Sequence, residues 1–191
     1  EKMTSQICEA AIELCMRKGY NEVSVNEICK AVRITKPTFY KYVRTKEDLL
    51  LQYYRTADAS ESGTWKGAEN PDPWEAISSG FAAGLKHCTS LGTDLMARVI
   101  AQQISSSARP FQSSEAWDRK MISLIAQGQK TGQIQAEMEP APLLEVMKNY
   151  MAGFCFSLCS QTPRDLNESL GCGIENLKVI CQVHLPGENS V

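Results

Sequence analysis

Histidine is nearly absent: the 191 residues contain only His87 and His184. The motifs that carry common hydrolytic and transfer chemistry are absent as well. There is no His-Glu-x-x-His, no Gly-x-Ser-x-Gly elbow and no Gly-rich phosphate loop ending in Lys. Gly171-Cys172-Gly173 begins like a dinucleotide turn, but Asn176 stands where the third glycine belongs and no strand pattern precedes it. The expectation is a protein that is not an enzyme, with no catalytic residue, resident metal or cofactor. Long apolar runs are missing too. The longest, the nearly apolar Tyr150–Cys159, is about half the roughly 20 residues a membrane-spanning helix needs. Glu1-Lys2-Met3-Thr4 carries no signal-peptide pattern, so a soluble, cytoplasmic chain with no membrane partner is expected. Strand signals are equally scarce, with neither sustained alternation nor an Asn-Gly or Asp-Gly turn between β-branched runs.

What is present is ordinary globular material. Apolar residues at 43% and charged residues at 22% exclude disorder as the dominant state. Eight cysteines lie beside apolar residues in helical patterns, which fits reduced core thiols better than a disulfide framework. An alternative stays open: Cys155 and Cys159 are four apart on one helix face, and His87-Cys88 are adjacent on another, so a metal- or thiol-redox-sensing regulator is conceivable. The net charge is −2, yet it is unevenly distributed. Residues 1–55 hold ten Lys/Arg against seven Asp/Glu, and residues 30–46 hold six cations (Lys30, Arg33, Lys36, Lys41, Arg44, Lys46) and no acid. Local basic clustering of this kind suits a phosphate backbone.

Helical periodicity recurs along the chain and predicts an all-α fold of about nine helices. A first helix over 4–18 repeats Ile7, Ala11, Leu14 and Cys15 and ends at Gly19, a left-handed cap. Ser24 with Glu27 three residues on forms a capping box that starts a second helix. Arg33-Ile34-Thr35 makes a turn, and Thr35 caps a short third helix over 36–43 with Pro37 in its first turn. A fourth begins at Thr45 with Asp48 at the capping position and continues to Tyr54. Residues 60–72 read as a connector and Ser105–Ser114 as a loop. Further helices are expected from the Asp72 cap to Thr89, then over 93–106, 114–131, 140–161 and 164–184.

Helices two and three with their turn make a helix-turn-helix. The third helix is too short to be a core element by itself. Phe39 and Val43, four apart, anchor one side, while Lys36, Thr38, Lys41 and Tyr42 occupy the other. Such an anchored polar face fits a DNA major groove; patterning by itself equally allows a helical hairpin with a solvated face.

Gly19-Tyr20, Ser24-Val25, Glu27-Ile28, Ile34-Thr35, Thr38-Phe39-Tyr40-Lys41-Tyr42-Val43 and Lys46-Glu47-Asp48-Leu49 together resemble the DNA-binding domain of the tetracycline-repressor (TetR) family. The resemblance covers residues 5–54. It implies a DNA-binding domain over 1–48 and a helical ligand-binding and dimerisation domain over 49–191. It also implies that Thr38 and Lys36 approach base edges and that Thr35, Tyr40, Tyr42 and Lys46 hold phosphates. Ser24 would cap the second helix and offer its backbone N–H to a phosphate, with Ile28, Phe39 and Leu49 in the core. Two departures stand out. Arg33 and Pro37 occupy positions where the family usually has glycine, so either Arg33 adopts a strained backbone or the turn differs.

In the second domain the helix over 140–161 is apolar nearly all round from Tyr150 onward, and the last helix repeats Leu170, Ile174, Leu177 and Cys181. These two helices either complete a monomer core or form a four-helix bundle with a second copy; the resemblance implies the homodimer, which suits a palindromic double-stranded operator. It also implies a pocket for a small-molecule effector of unknown identity. The candidate lining is Phe81, Met96, Ile100, Trp117, Met121, Tyr150, Met151 and Phe154, although methionines and aromatics at helical spacing are more often plain core.

Overall fold

The computed structural model describes residues 2–46, 48–52, 70–105, 113–160 and 166–184. Among them the only β-pairing is an isolated antiparallel bridge between Ile134 and Val183, and the fold is all-helical. The helices are α1 (Lys2–Lys18), α2 (Val25–Val32), α3 (Lys36–Tyr42), α4 (described over 48–52), α5 (Pro73–Ser90), α6 (Gly92–Ser105), α7 (Glu115–Lys130), α8 (Pro140–Ser160) and α9 (Leu166–Ile180). The expected course of the fourth helix to Tyr54, most of the 60–72 connector and most of the 105–114 loop lie outside the described residues.

Local sequence explains most helix ends. Gly19 leaves α1 at φ 89°, and its N–H bonds to the Cys15 carbonyl at 2.8 Å. Ser24 and Glu27 make the complete reciprocal capping box of α2. Thr45 accepts the Asp48 N–H at 3.1 Å, and Asp72 accepts the Glu75 N–H at 2.9 Å. Arg33 closes α2 in the left-handed region at φ 59°, ψ 43°, a backbone that costs a non-glycine residue about 1–2 kcal/mol. The expected strained turn is therefore the one observed. One end differs from expectation: α9 stops at Ile180 instead of running to 184. Gln182 turns left-handed at φ 49°, the Val183 N–H returns to the Lys178 carbonyl, and Val183 joins the bridge to Ile134.

The chain divides into two compact units, one of residues 1–59 with 88–110 and the other of 60–87 with 111–191. The first unit therefore does not follow the chain order of a division at residue 48, because α6 belongs to it. Its core gathers Ile7, Ala11 and Cys15 of α1, Ile28 of α2, Phe39 of α3, Val43, Leu49 and Leu50, and Leu91, Leu95 and Val99 at and within α6.

In the second unit α7 packs on α8 and α8 on α9. Met121, Ile125, Leu143, Leu144, Met147, Leu177 and Cys181 are buried there. The nearly buried Gln133 links two segments far apart in sequence. Its side-chain oxygen accepts the Trp74 N–H, and its amide donates to both Asp72 carboxylate oxygens. Gly128 of α7 lies against Ile134, so closely that a Cβ there would sit 2.7 Å from the Ile134 Cδ1 and 2.9 Å from Cγ1. Gly84, also helical, faces open space.

These two glycines should respond oppositely to the same substitution. Gly128→Ala should destabilise by about 1–2 kcal/mol through overpacking, whereas Gly84→Ala should stabilise by up to about 1 kcal/mol through helix propensity. Chemical denaturation of the two variants measures both signs.

Candidate nucleic-acid interface

The geometry of α3 follows from two buried residues. Phe39 is fully inaccessible and Val43 nearly so, and both join the core of the first unit. With that side fixed, Lys36, Tyr40, Lys41 and Tyr42 are exposed. Tyr40 and Tyr42 are 54% and 42% accessible, so both aromatic residues are open to solvent. Tyr40 is steadied by an edge contact with Phe39 at 5.3 Å between centroids. Thr35 caps α3, its hydroxyl lying 2.9 Å from that of half-buried Thr38. A recess of about 410 Å³ runs beside the helix, lined by Tyr40, Lys41, Tyr42, Arg44 and Asp48 among others. Lys41 and Arg44 thus share a surface with the two tyrosines. Both belong to the acid-free run 30–46, which was the signal that marked them, although the family pattern gave them no role.

Two expected phosphate ligands have other partners. The Lys46 ammonium donates to the Tyr20 and Val23 carbonyls at 2.6 and 2.7 Å and sits 3.9 Å from the centroid of the Tyr20 ring. Two of its three protons therefore tie the start of α4 to the loop that leads into α2. The Arg98 guanidinium of α6 lies 4.6 Å from the same ring centroid, so a buried tyrosine gathers two cations within cation–π range. The backbone N–H of Ser24 is likewise occupied, donating to the Glu27 carboxylate at 2.9 Å. Glu27 also accepts from the Lys18 ammonium at 2.7 Å. The Lys18 hydrogen bond, followed by the Ser24 N–H and hydroxyl, lowers the Glu27 pKa from 4.5 to about 2.

The candidate effector residues are distributed over both units. Phe81 and Met121 are buried in the second unit, with the Phe81 and Trp117 rings edge to face at 5.4 Å. Met151 is also buried there. Tyr150 and Phe154 turn instead toward α9: the Tyr150 hydroxyl accepts from the Asn176 amide at 2.9 Å, and the Phe154 ring covers Gly173. Met96 and Ile100 belong to the first unit. A separate cavity of about 470 Å³ lies at the α7–α8 connection, lined by Gln129, Gly132 and residues 134–140, and none of the candidates borders it. Among the described residues, no three His, Cys, Asp or Glu side chains are grouped to hold a metal. Cys155 is buried and Cys159 half-buried, while the side chains of His87 and Cys88 lie outside the described residues. Burial pushes the thiol of Cys8 up to about 11 and that of Cys181 up to about 12, and raises that of Cys15, so these three remain protonated at neutral pH.

A short helix anchored by Phe39 and Val43, with hydroxyl, phenol and ammonium groups on its free side, is the arrangement of a helix-turn-helix. The profile of "Bacterial regulatory proteins, tetR family" matches residues 7–53. The transcriptional regulator AcuR of Cereibacter sphaeroides is 27% identical over 159 residues, covering 73% of this chain and 68% of that protein. Thermus thermophilus FadR, a TetR-family repressor solved with lauroyl-CoA, superposes with a TM-score of 0.67 at 20% identity over 98% of this chain and all of its own. AibR, solved with isovaleryl coenzyme A and operator DNA, gives 0.56 at 17% identity, covering 92% of this chain and 97% of its own. Residues 7–53 belong to the DNA-binding domain of the TetR family of bacterial regulatory proteins, and the whole chain has the fold of TetR-family transcriptional regulators.

Lys46→Ala should lower stability by about 2 kcal/mol in the absence of DNA, since it removes two charge-assisted hydrogen bonds; urea denaturation reads this directly. The Glu27 carboxylate, with its folded pKa below the ordinary value, contributes stability above pH 4.5 that disappears as pH falls through about 2. Thermal midpoints of wild type and Glu27→Gln should therefore differ near neutrality and converge in strong acid.

Proposed function

We propose that this protein is a repressor that binds a palindromic operator as a homodimer and is released by a small-molecule effector. The observation that carries the reading is the free side of α3, exposed along Lys36, Tyr40, Lys41 and Tyr42 while Phe39 is fully buried. In this reading Lys36 and Thr38 meet base edges, and Thr35, Tyr40 and Tyr42 hold phosphates that set the register. Ser24 and Lys46 act mainly by fixing the loop before α2, and a phosphate would have to compete with Glu27 for the Ser24 N–H. Residues 1–48 carry the DNA contacts, 49–191 carry effector binding and dimerisation, and α6 supports the first unit from within the second stretch.

Exposed apolar groups on the last two helices support a second copy. Val146 and Phe156 of α8 and Val179 of α9 are large side chains left open to solvent. Pro142, Val146, Asn149, Gly153 and Phe156 are spaced three or four apart on the exposed side of α8, as an isologous helix-pair contact requires. For the effector, the lauroyl-CoA and isovaleryl coenzyme A in the FadR and AibR structures make acyl-CoA thioesters the first class to test. The methionine and aromatic side chains of the second unit suit an acyl chain. Release then requires that the effector bind the DNA-incompetent arrangement more tightly. No described helix is long and apolar enough to cross a membrane, in keeping with a cytoplasmic regulator.

Selection of bound duplexes from a random pool should return an inverted repeat, with half-sites about one helical turn or a multiple apart. Lys36→Ala should weaken binding to that repeat at least several-fold, while Lys130→Ala should leave it unchanged. Lauroyl-CoA titrated into the complex should release the DNA. Recovery of no enriched sequence, with no salt-dependent binding to any duplex, would refute the reading.

A further inference from the structure

Arg33 occupies a position that the local fold does not require to be arginine. It is left-handed, and its capping N–H bonds to the Cys29 and Lys30 carbonyls are backbone interactions that glycine would make without strain. The side chain is exposed. Among the described residues the ion pairs are Lys18–Glu27, Arg98–Asp94, Arg119–Glu115 and those of Lys148 with Asp118 and Glu145, so Arg33 has no carboxylate partner.

Its placement suggests what the guanidinium meets. Arg33 stands two residues before Thr35, the N-cap of α3. Exposed cations then lie at both ends of that helix, Arg33 and Lys36 where it begins and Lys41 and Arg44 where it ends. No acid occurs between residues 30 and 46. A helix of seven residues is about 10 Å long, and the major groove is about 12 Å wide. Cations just beyond both ends of a helix seated there approach the phosphate walls on either side. Guanidinium is the side-chain group best matched to phosphate oxygens.

We propose that Arg33 is a DNA-phosphate contact of the helix-turn-helix turn, present at a backbone position where glycine would be more stable. The proposal rests on the DNA-binding reading above and adds to it a residue outside the family's set of contacts.

The test compares the full-length wild type with Arg33→Gly, Arg33→Asn and Arg33→Lys. Each is measured for thermal midpoint and for affinity to a mixed-sequence DNA duplex across a salt series. Arg33→Gly should melt higher yet bind more weakly at low salt. Its log-affinity against log-salt slope should be shallower by about 0.9 for each contacting subunit. Arg33→Asn, which tolerates the left-handed backbone, should show the same shallower slope, and Arg33→Lys should retain the wild-type slope. A wild type that binds duplex with a steep slope left unchanged in Arg33→Gly and Arg33→Asn overturns this proposal alone. A wild type with no salt-dependent binding overturns the DNA-binding reading and the proposal with it.

Discussion

A helix of seven residues cannot sustain itself in water, where isolated helices shorter than about 12–15 residues are marginal. The existence of α3 depends on the burial of Phe39, whose side chain is fully inaccessible within the core shared by α1, α2 and α6. Burying such a ring contributes about 1.5–3 kcal/mol, and Val43 one turn on fixes rotation about the helix axis. Because one side is locked, the directions of Lys36, Tyr40, Lys41 and Tyr42 follow. The chemistry offered to DNA is thus set by two apolar residues that cannot touch it.

Features written within three or four residues were legible in the chain. The Ser24–Glu27 box, the Gly19 stop and the Thr35 and Asp72 caps are each decided by a residue and a near neighbour, and each forms as read. The end of α9 was not legible, because it depends on a left-handed glutamine and on a bridge to Ile134, which lies 49 residues upstream of Val183. Lys46 shows the same limit. Nothing in its surroundings separates a lysine that reaches a phosphate from one that reaches the carbonyls of Tyr20 and Val23, and Arg98 carried no local sign that it would meet Tyr20.

The second unit shows a different limit. Helical periodicity places a side chain on a face but does not say which neighbour covers it. Met121 and Met151 go to the interior, Tyr150 and Phe154 go to α9, and Met96 and Ile100 fall in the first unit. The abundance of methionine and aromatic residues therefore marks buried positions without saying which of them line a common space.

Leu91, Leu95 and Val99 complete the core around α1 and Phe39 although they are encoded some fifty residues after α3. The unit that holds the helix-turn-helix is therefore discontinuous in the chain. Recombination that exchanges only the segment of α1–α3 between relatives would leave the transplanted helices with a foreign underside, and so would an engineered chimera joined after α3. New combinations are expected to succeed where the incoming α6 and the residue before it preserve those three apolar contacts, which makes a helix some fifty residues downstream a gatekeeper for exchanging the helix-turn-helix.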